Sequence, residues 1–282
     1  MLANSVGKTL LVDGGGGLTN NGVVQANAGS TLQVATNLNN FNAPSGNLTG
    51  GTYFANAGTI QLNLGNNTGG EITTNTANIV LSGPTATIVD SNGNNALGHL
   101  NTIAQGGSLS LLNGQHFTTG TPTAGFNFSN NGTLTVGADS IFSLEGSYIQ
   151  GGTLIEDIAG SASGQFGFTD IAGTATLGAG SILNINFLNG FSVAPGDHAS
   201  IVLLDALNGL GGSLFSSFNI ACPTGDVCRL DYSNPNEVIL DINGNSNTVP
   251  TPESGMLGML LASMVSLAAG IKCRNRRSTP CN

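Results

Sequence analysis

Glu156 and Asp157 stand side by side in "GGTLIEDIAG", and Asp139 and Glu145 bracket "ADSIFSLEG". These are the first places to seek the paired carboxylates of general acid–base chemistry. Hydrolysis of a glycosidic bond needs two such groups roughly 5 to 9.5 Å apart across the bond. Adjacent residues of a strand point to opposite faces, so Glu156 and Asp157 cannot form that pair. Asp139 and Glu145 flank a coil and meet only by stacking. A lyase acting on uronic acids needs Lys or Arg against the sugar carboxylate, yet Lys8 and Arg229 are the only bases before Lys272. His99, His116 and His198 are scattered without ligand spacing and read as surface turn residues. No Gly-x-Ser-x-Gly motif occurs. The run "DGGGGLTNNG" lacks both the Lys of a phosphate loop and the regular aspartates of a calcium-binding nonapeptide. The chain thus names no catalytic residue, metal ligand or cofactor, and a non-enzymatic protein is expected. The competing expectation, a polysaccharide-active β-helix enzyme, requires a carboxylate cluster on one lateral face.

Cys222 and Cys228, in "CPTGDVC", are close enough to close a small disulfide loop across the turn formers Pro223, Thr224, Gly225 and Asp226. A pair of reduced thiols is the other option. Five intervening residues are too many for a redox CxxC, and no second pair completes a zinc site. Cys273 and Cys281 flank a basic tail. Charge is uneven: the residues before Lys272 carry a net −13 and the tail +4, for −9 in all. Such a body repels nucleic acid, whose binding needs clustered Lys and Arg, and offers no patch for an anionic membrane surface.

The elements that must position these residues are strands. Gly accounts for 43 of 282 residues and only 7% are charged, but 39% are hydrophobic, which favours a folded, turn-rich protein over disorder. "NNGVVQANAGSTLQV" from Asn20, "NNGTLTVGADSIFSL" from Asn130 and "IAGTATLGAGSILNI" from Ile171 share one plan, with Gly22, Gly132 and Gly173 in the same place. Each glycine precedes an alternating run, a small-residue turn and a second alternating run. Alternation of period two is the mark of strands with one face inward. The glycines Gly132, Gly152 and Gly173 suggest a period of ~20 to 22 residues, in the range of solenoids. A β-sandwich also offers many short strands, but it need not repeat its sequence. The expected fold is all-β, a right-handed parallel β-helix (solenoid) over residues 1–242, with insertions between Gly69 and Gly120. In such a stack like charges would lie directly above one another, which accounts for their scarcity.

Residues 128–242 resemble the C-terminal coils of autotransporter passenger β-helices. The resemblance rests on Tyr148 and Gln150, on Gly152, Thr153 and Leu154, on Gly173, Ala175 and Leu177, on Gly190 and Phe191, and on the turn Pro195, Gly196, Asp197. "GQFGFTDIAG" departs from the tyrosine-aspartate pair usual in that family.

The chain ends "VPTPESGMLGMLLASMVSLAAGIKCRNRRSTPCN". Residues 255–271 are uncharged and apolar; at 1.5 Å per residue, seventeen residues span about 25 Å, at the short end for a single transmembrane helix. Lys272, Arg274, Arg276 and Arg277 follow at once and would hold residues 272–282 in the cytoplasm, leaving residues 1–254 outside. Residues 243–254 read as a linker. This tail resembles a PEP-CTERM sorting domain, with Val249, Pro250, Thr251, Pro252 and Glu253 at the motif, although the central triplet is not the usual one. The resemblance implies an exosortase-type processing enzyme as partner, an inner-membrane precursor, and a mature protein at the cell surface or in the extracellular matrix; separately, rows of Asn, Thr and Ser along the sides of a solenoid are expected to pair with exopolysaccharide hydroxyls. A permanently membrane-anchored surface protein is the alternative. The N-terminus, "MLANSVGKTLLVDGGGG", carries no convincing signal peptide, so a truncated start is expected.

Overall fold

A computed structural model describes residues 1–65, 70–121 and 125–245. The linker end, the sorting motif, the apolar run and the basic tail therefore lie outside the described residues. Among the described residues no helix is long and apolar enough to cross a membrane. Met1–Asn245 forms one compact unit, an all-β solenoid of about 7 turns.

Each coil lays one strand on each of its sides, and coils pair in parallel with the coils before and after. The longest sheet has 14 strands and bends through a corner, because Thr74–Ser82 pairs with Thr102–Ile103 by its first half and with Ser108–Leu112 by its second. A four-stranded sheet covers the remaining side of the early coils and a six-stranded sheet that of the later ones. Between these two, residues 90–101 interrupt the strand ladder; Asp90 accepts the backbone N–H groups of Asn92 and Asn94, both at 2.8 Å, and closes the first turn of this insertion.

Inward side chains form columns. Val24, Tyr53, Ile79, Leu109, Leu134, Leu154 and Leu183 stand on successive strands in register and are all fully buried. Burying one such side chain contributes about 1.5–3 kcal/mol, and no coil can achieve it alone. Aromatic rings fill the later coils, with Phe128 against Phe142 at 5.1 Å and against Tyr148 at 5.9 Å. Corners need polar groups to satisfy backbone that has left the ladder. Asn75 and Asn130, both buried, donate to the carbonyls of Ser108 and Thr153, and Gln150 donates to that of Gly152.

The coil length is less regular than the glycine spacing implies. Register partners advance 22 residues from Thr9 to Thr31, 28 from Thr31 to Thr59, 25 from Ser108 to Thr133, 20 from Thr133 to Thr153 and 35 from Ile182 to Ser217. Gly132 and Gly173 also occupy different corners. A Cβ on Gly132 would lie 2.3 Å from the Gly107 carbonyl oxygen, and one on Gly152 would lie 2.2 Å from that of Gly132, so these three stack in one column. Gly173 stacks instead on Gly146, whose carbonyl oxygen its Cβ would meet at 2.4 Å. Both corners crowd backbone against backbone, so both select glycine before an alternating strand.

The parallel ladder ends in an antiparallel pair. Glu237–Gly244 runs back along His198–Ala206, and Asp226–Asp231 runs along Glu237–Gly244. Cys222 and Cys228 are joined by a disulfide with Cα atoms 5.8 Å apart, which closes the turn into that last strand.

Candidate functional site on the six-stranded sheet

The outer face of the six-stranded sheet carries two contrasting rows. The first begins at His116 and continues through Ile141 and Phe168 on adjacent strands. Val202 and its partner Ile239 extend it on the last parallel strand and the antiparallel strand beside it. The second row lies two residues further along, or three at Asp205, across the bulge after Val202: Thr118, Ser143, Asp170, Asp205 and Glu237 are register partners in turn. Three acidic residues thus occupy three neighbouring strands about 4.8 Å apart, and Glu145 closes the same face one step beyond Ser143. Asp170 binds its proton more tightly than an ordinary aspartate, through its packing against the sheet and then through the negative charges of Asp205 and Glu145. Like charges directly opposite one another destabilise a sheet, so this row is not a stabilising feature.

A cavity of about 390 Å³ opens on the apolar row. Ile141, Phe168 and Val202 line it from the sheet and Phe166 from the loop that follows Ile158, while His116 and Asp139 contribute polar groups. The loop is held by Ala159 N–H donating to the Gln165 carbonyl at 2.7 Å and Gly167 N–H to that of Asp157 at 2.9 Å. Asp139 sits in the left-handed region at φ 65°, which aspartate tolerates better than most residues.

Beneath this face lies a buried polar corner. Glu156 occupies an inward position between Val136 and Ile185, is fully buried, and accepts a hydrogen bond from Thr169 Oγ1 at 2.8 Å. Burial pushes its carboxyl well above the usual glutamate value; the Thr169 bond opposes the shift and the charge of Asp157 adds to it. Burial therefore favours the protonated acid in the fold. Its Oε2 has no hydrogen-bond partner and points at Gly167, where a Cβ would lie 2.3 Å away. Ser140 Oγ and Gln115 Oε1, each just before a strand of the six-stranded sheet (Ile141–Glu145 and His116–Gly120), are also buried without partners. Asp157 faces outward, as strand alternation requires, and accepts from Asn186 Nδ2 at 2.9 Å.

The other titratable residues are dispersed. His99 meets Glu71 at 2.5 Å on an exposed surface. Asp139 lies two residues before the strand Ile141–Glu145 and Glu145 ends it, so the two stand at its opposite ends. Arg229 is paired with Asp241 at 2.9 Å, and Asp241 also accepts from Ser200 and lies 3.4 Å from His198. Burial alone would raise Asp241, but the bonds from Arg229 and Ser200 and the Arg229 charge hold its carboxyl below the usual range. Among the described residues no three His, Cys, Asp or Glu side chains are grouped to hold a metal ion.

The acidic row is the feature that sequence reasoning missed. Its members are 35 residues apart from Asp170 to Asp205, and the next pairing, to Glu237, is antiparallel, so no fixed period aligns them. The alternating stretch "FTDI" gave the outward position of Asp170, but not its neighbours. No family model matches the chain, and no curated protein or solved structure matches it either.

Proposed function

We propose that the protein is an exported, non-enzymatic surface or extracellular-matrix component, adhesive or structural, whose solenoid presents long polar rows to polysaccharide. The observation that carries this reading is the outer face of the long sheet. Thr52, Asn78, Ser108, Thr133 and Thr153 stand on five successive strands, giving an unbroken row of hydroxyl and amide groups. Its members are tied to one another: Ser108 Oγ donates to Asn78 Oδ1 at 2.6 Å, and Asn78 Nδ2 to Thr52 Oγ1 at 3.2 Å. A rigid, pre-ordered row of this kind suits a polymer of hydroxyls, because little freedom is lost when it binds. Right-handed winding of the coils is part of the proposal, since parallel crossovers favour that hand strongly.

Delivery belongs to the same proposal. The apolar run at 255–271 serves as a membrane helix in the precursor, Lys272, Arg274, Arg276 and Arg277 hold the end in the cytoplasm, and an exosortase-type enzyme acts near Pro250 to Glu253. The full chain should be retained on its host's own exopolymer, and passage of the whole sample unretained would defeat the reading.

A second reading is favoured by one observation. Asp170, with its raised proton affinity, stands beside Asp205, an arrangement that suits an acid and a base of a polysaccharide hydrolase. The acids, however, form a straight row on one flat face, beneath a bound chain and not on either side of its bond. Release of reducing ends from the exopolymer, abolished by Asp170→Asn, would establish the hydrolase instead.

A further inference from the structure

The two rows on the six-stranded sheet point to a ligand more specific than a neutral glycan. We propose that this face binds an amine-bearing polysaccharide, a hexosamine polymer with free amino groups, whose apolar sugar faces lie over Phe168 and Ile141 and whose ammonium groups meet Asp170, Asp205 and Glu237. The inference rests on the proposed contact with polysaccharide and names its chemical class.

The cavity supplies the apolar part. In a surface dominated by Asn, Ser, Thr and Gly, Phe168, Ile141 and Val202 are three outward apolar side chains together, and Phe166 walls them on one side. Scattered exposed apolar residues mean little, but a contiguous recess of this kind is where ligands bind. Charge complementarity selects the occupant. Asp170 and Glu237 lie two residues along from the apolar row and Asp205 three, across the bulge after Val202, all on the same face with Glu145 beside them. Of the two Lys or Arg side chains among the described residues, Lys8 and Arg229, Arg229 is already engaged by Asp241, so the acidic row carries a net negative field. A neutral or acidic glycan gains nothing from it.

The spacing argues for a sugar polymer over a basic peptide. The acidic row repeats at about 4.8 Å, the strand separation, whereas side chains on one face of an extended peptide repeat at about 6.6–6.8 Å and run out of step after one residue. A linked pyranose advances by about one strand spacing, and in a two-fold ribbon alternate ammonium groups share an edge about two strand spacings apart, the separation of Asp170 from Glu237.

The test uses the full-length chain with a glucosamine oligosaccharide, its fully N-acetylated counterpart, and polylysine, by titration calorimetry at low and high salt. The glucosamine oligomer should bind, the acetylated one should bind at least about tenfold more weakly, and high salt should weaken binding of the first toward that of the second, since screening reduces the attraction between exposed charges. Asp205→Asn with Glu237→Gln should weaken binding about tenfold, because each exposed ion pair contributes roughly a 1.5- to fivefold factor. Phe168→Ala should weaken it comparably, and the isosteric acid substitutions keep the test decisive if that variant fails to fold. Equal binding of the acetylated oligomer, unchanged binding by the double variant, or preference for polylysine would each overturn the proposal. Shortening of the oligosaccharide would overturn it in favour of the hydrolase. Retention of the double variant on host exopolymer as strong as wild type would remove this site and leave the matrix reading standing, whereas no retention of the wild type would remove the matrix reading itself.

Discussion

Replacing Glu156 by Gln should make the protein more stable above about pH 4.3, by an amount that grows with pH until the folded value is reached. Glu156 is fully buried between Val136 and Ile185, and Thr169 Oγ1 is its one hydrogen-bond partner. Its folded carboxyl is raised well above the ordinary value, chiefly by burial. A raised carboxyl keeps its proton in the fold after the unfolded chain has lost it. The stability it allows is fully present below the unfolded value of about 4.3 and is lost as pH rises toward the folded value, at about 1.4 kcal/mol per pH unit. Gln has nearly the same volume, accepts the Thr169 bond through its carbonyl and never ionises. The variant and wild type should therefore be about equally stable near pH 4 and diverge by that slope above it. Glu156→Leu should gain less, because it removes the partnerless Oε2 but strands the Thr169 hydroxyl, and an unpaired buried polar group costs about 1–3 kcal/mol. Urea unfolding of both chains across this pH range measures the difference directly. A difference that does not change with pH, or a Gln variant less stable at neutral pH, would refute the protonated buried acid.

Asp241 should show the opposite sign. Its folded carboxyl is lowered, so its contribution is present above about pH 3.9 and is lost as pH falls through the folded value; because the Arg229 partner is largely exposed, Asp241→Asn should cost no more than about 1 kcal/mol at neutral pH and little in strong acid by the same unfolding assay. Gly132→Ala should cost about 1–3 kcal/mol, as overpacking does, because its Cβ meets the Gly107 and Ala104 carbonyl oxygens at 2.3 and 2.5 Å. Gly22→Ala, in the matching sequence position but with nothing within 4 Å, should change stability by less than about 0.5 kcal/mol; equal melting shifts for the two would contradict the stacked column. Removing the disulfide by Cys222→Ser with Cys228→Ser should cost about 2 kcal/mol from loop entropy, with hydrogen exchange rising first in Asp226–Asp231 and Glu237–Gly244.

The strands were legible because alternation is local. "TLTV", "SILNI" and "TLIEDI" each show which residues face inward, and Glu156 was placed opposite Asp157 by that rule alone. The stacking register was not legible, because coils differ in length and two corners select the same glycine-led pattern; Gly173 was aligned with Gly132 when its partner is Gly146. The acidic row depends on that register and was hidden with it. Scarcity of charge was read as avoidance of like-charge stacking, yet Asp170, Asp205 and Glu237 stack. The raised proton affinity of Glu156 follows from full burial in an apolar column, which a single sequence window does not show. The disulfide was one of two options for Cys222 and Cys228, and the choice between them is a matter of Cα separation, 5.8 Å across the turn.

The most direct test of the account is the intact mass and location of the protein in its host, with and without the processing enzyme. A body ending near Pro252, found at the surface or in the matrix and lost when the enzyme is deleted, is the predicted result. An uncut chain of 28.2 kDa held in the inner membrane of both strains would contradict it and make the apolar run a plain anchor.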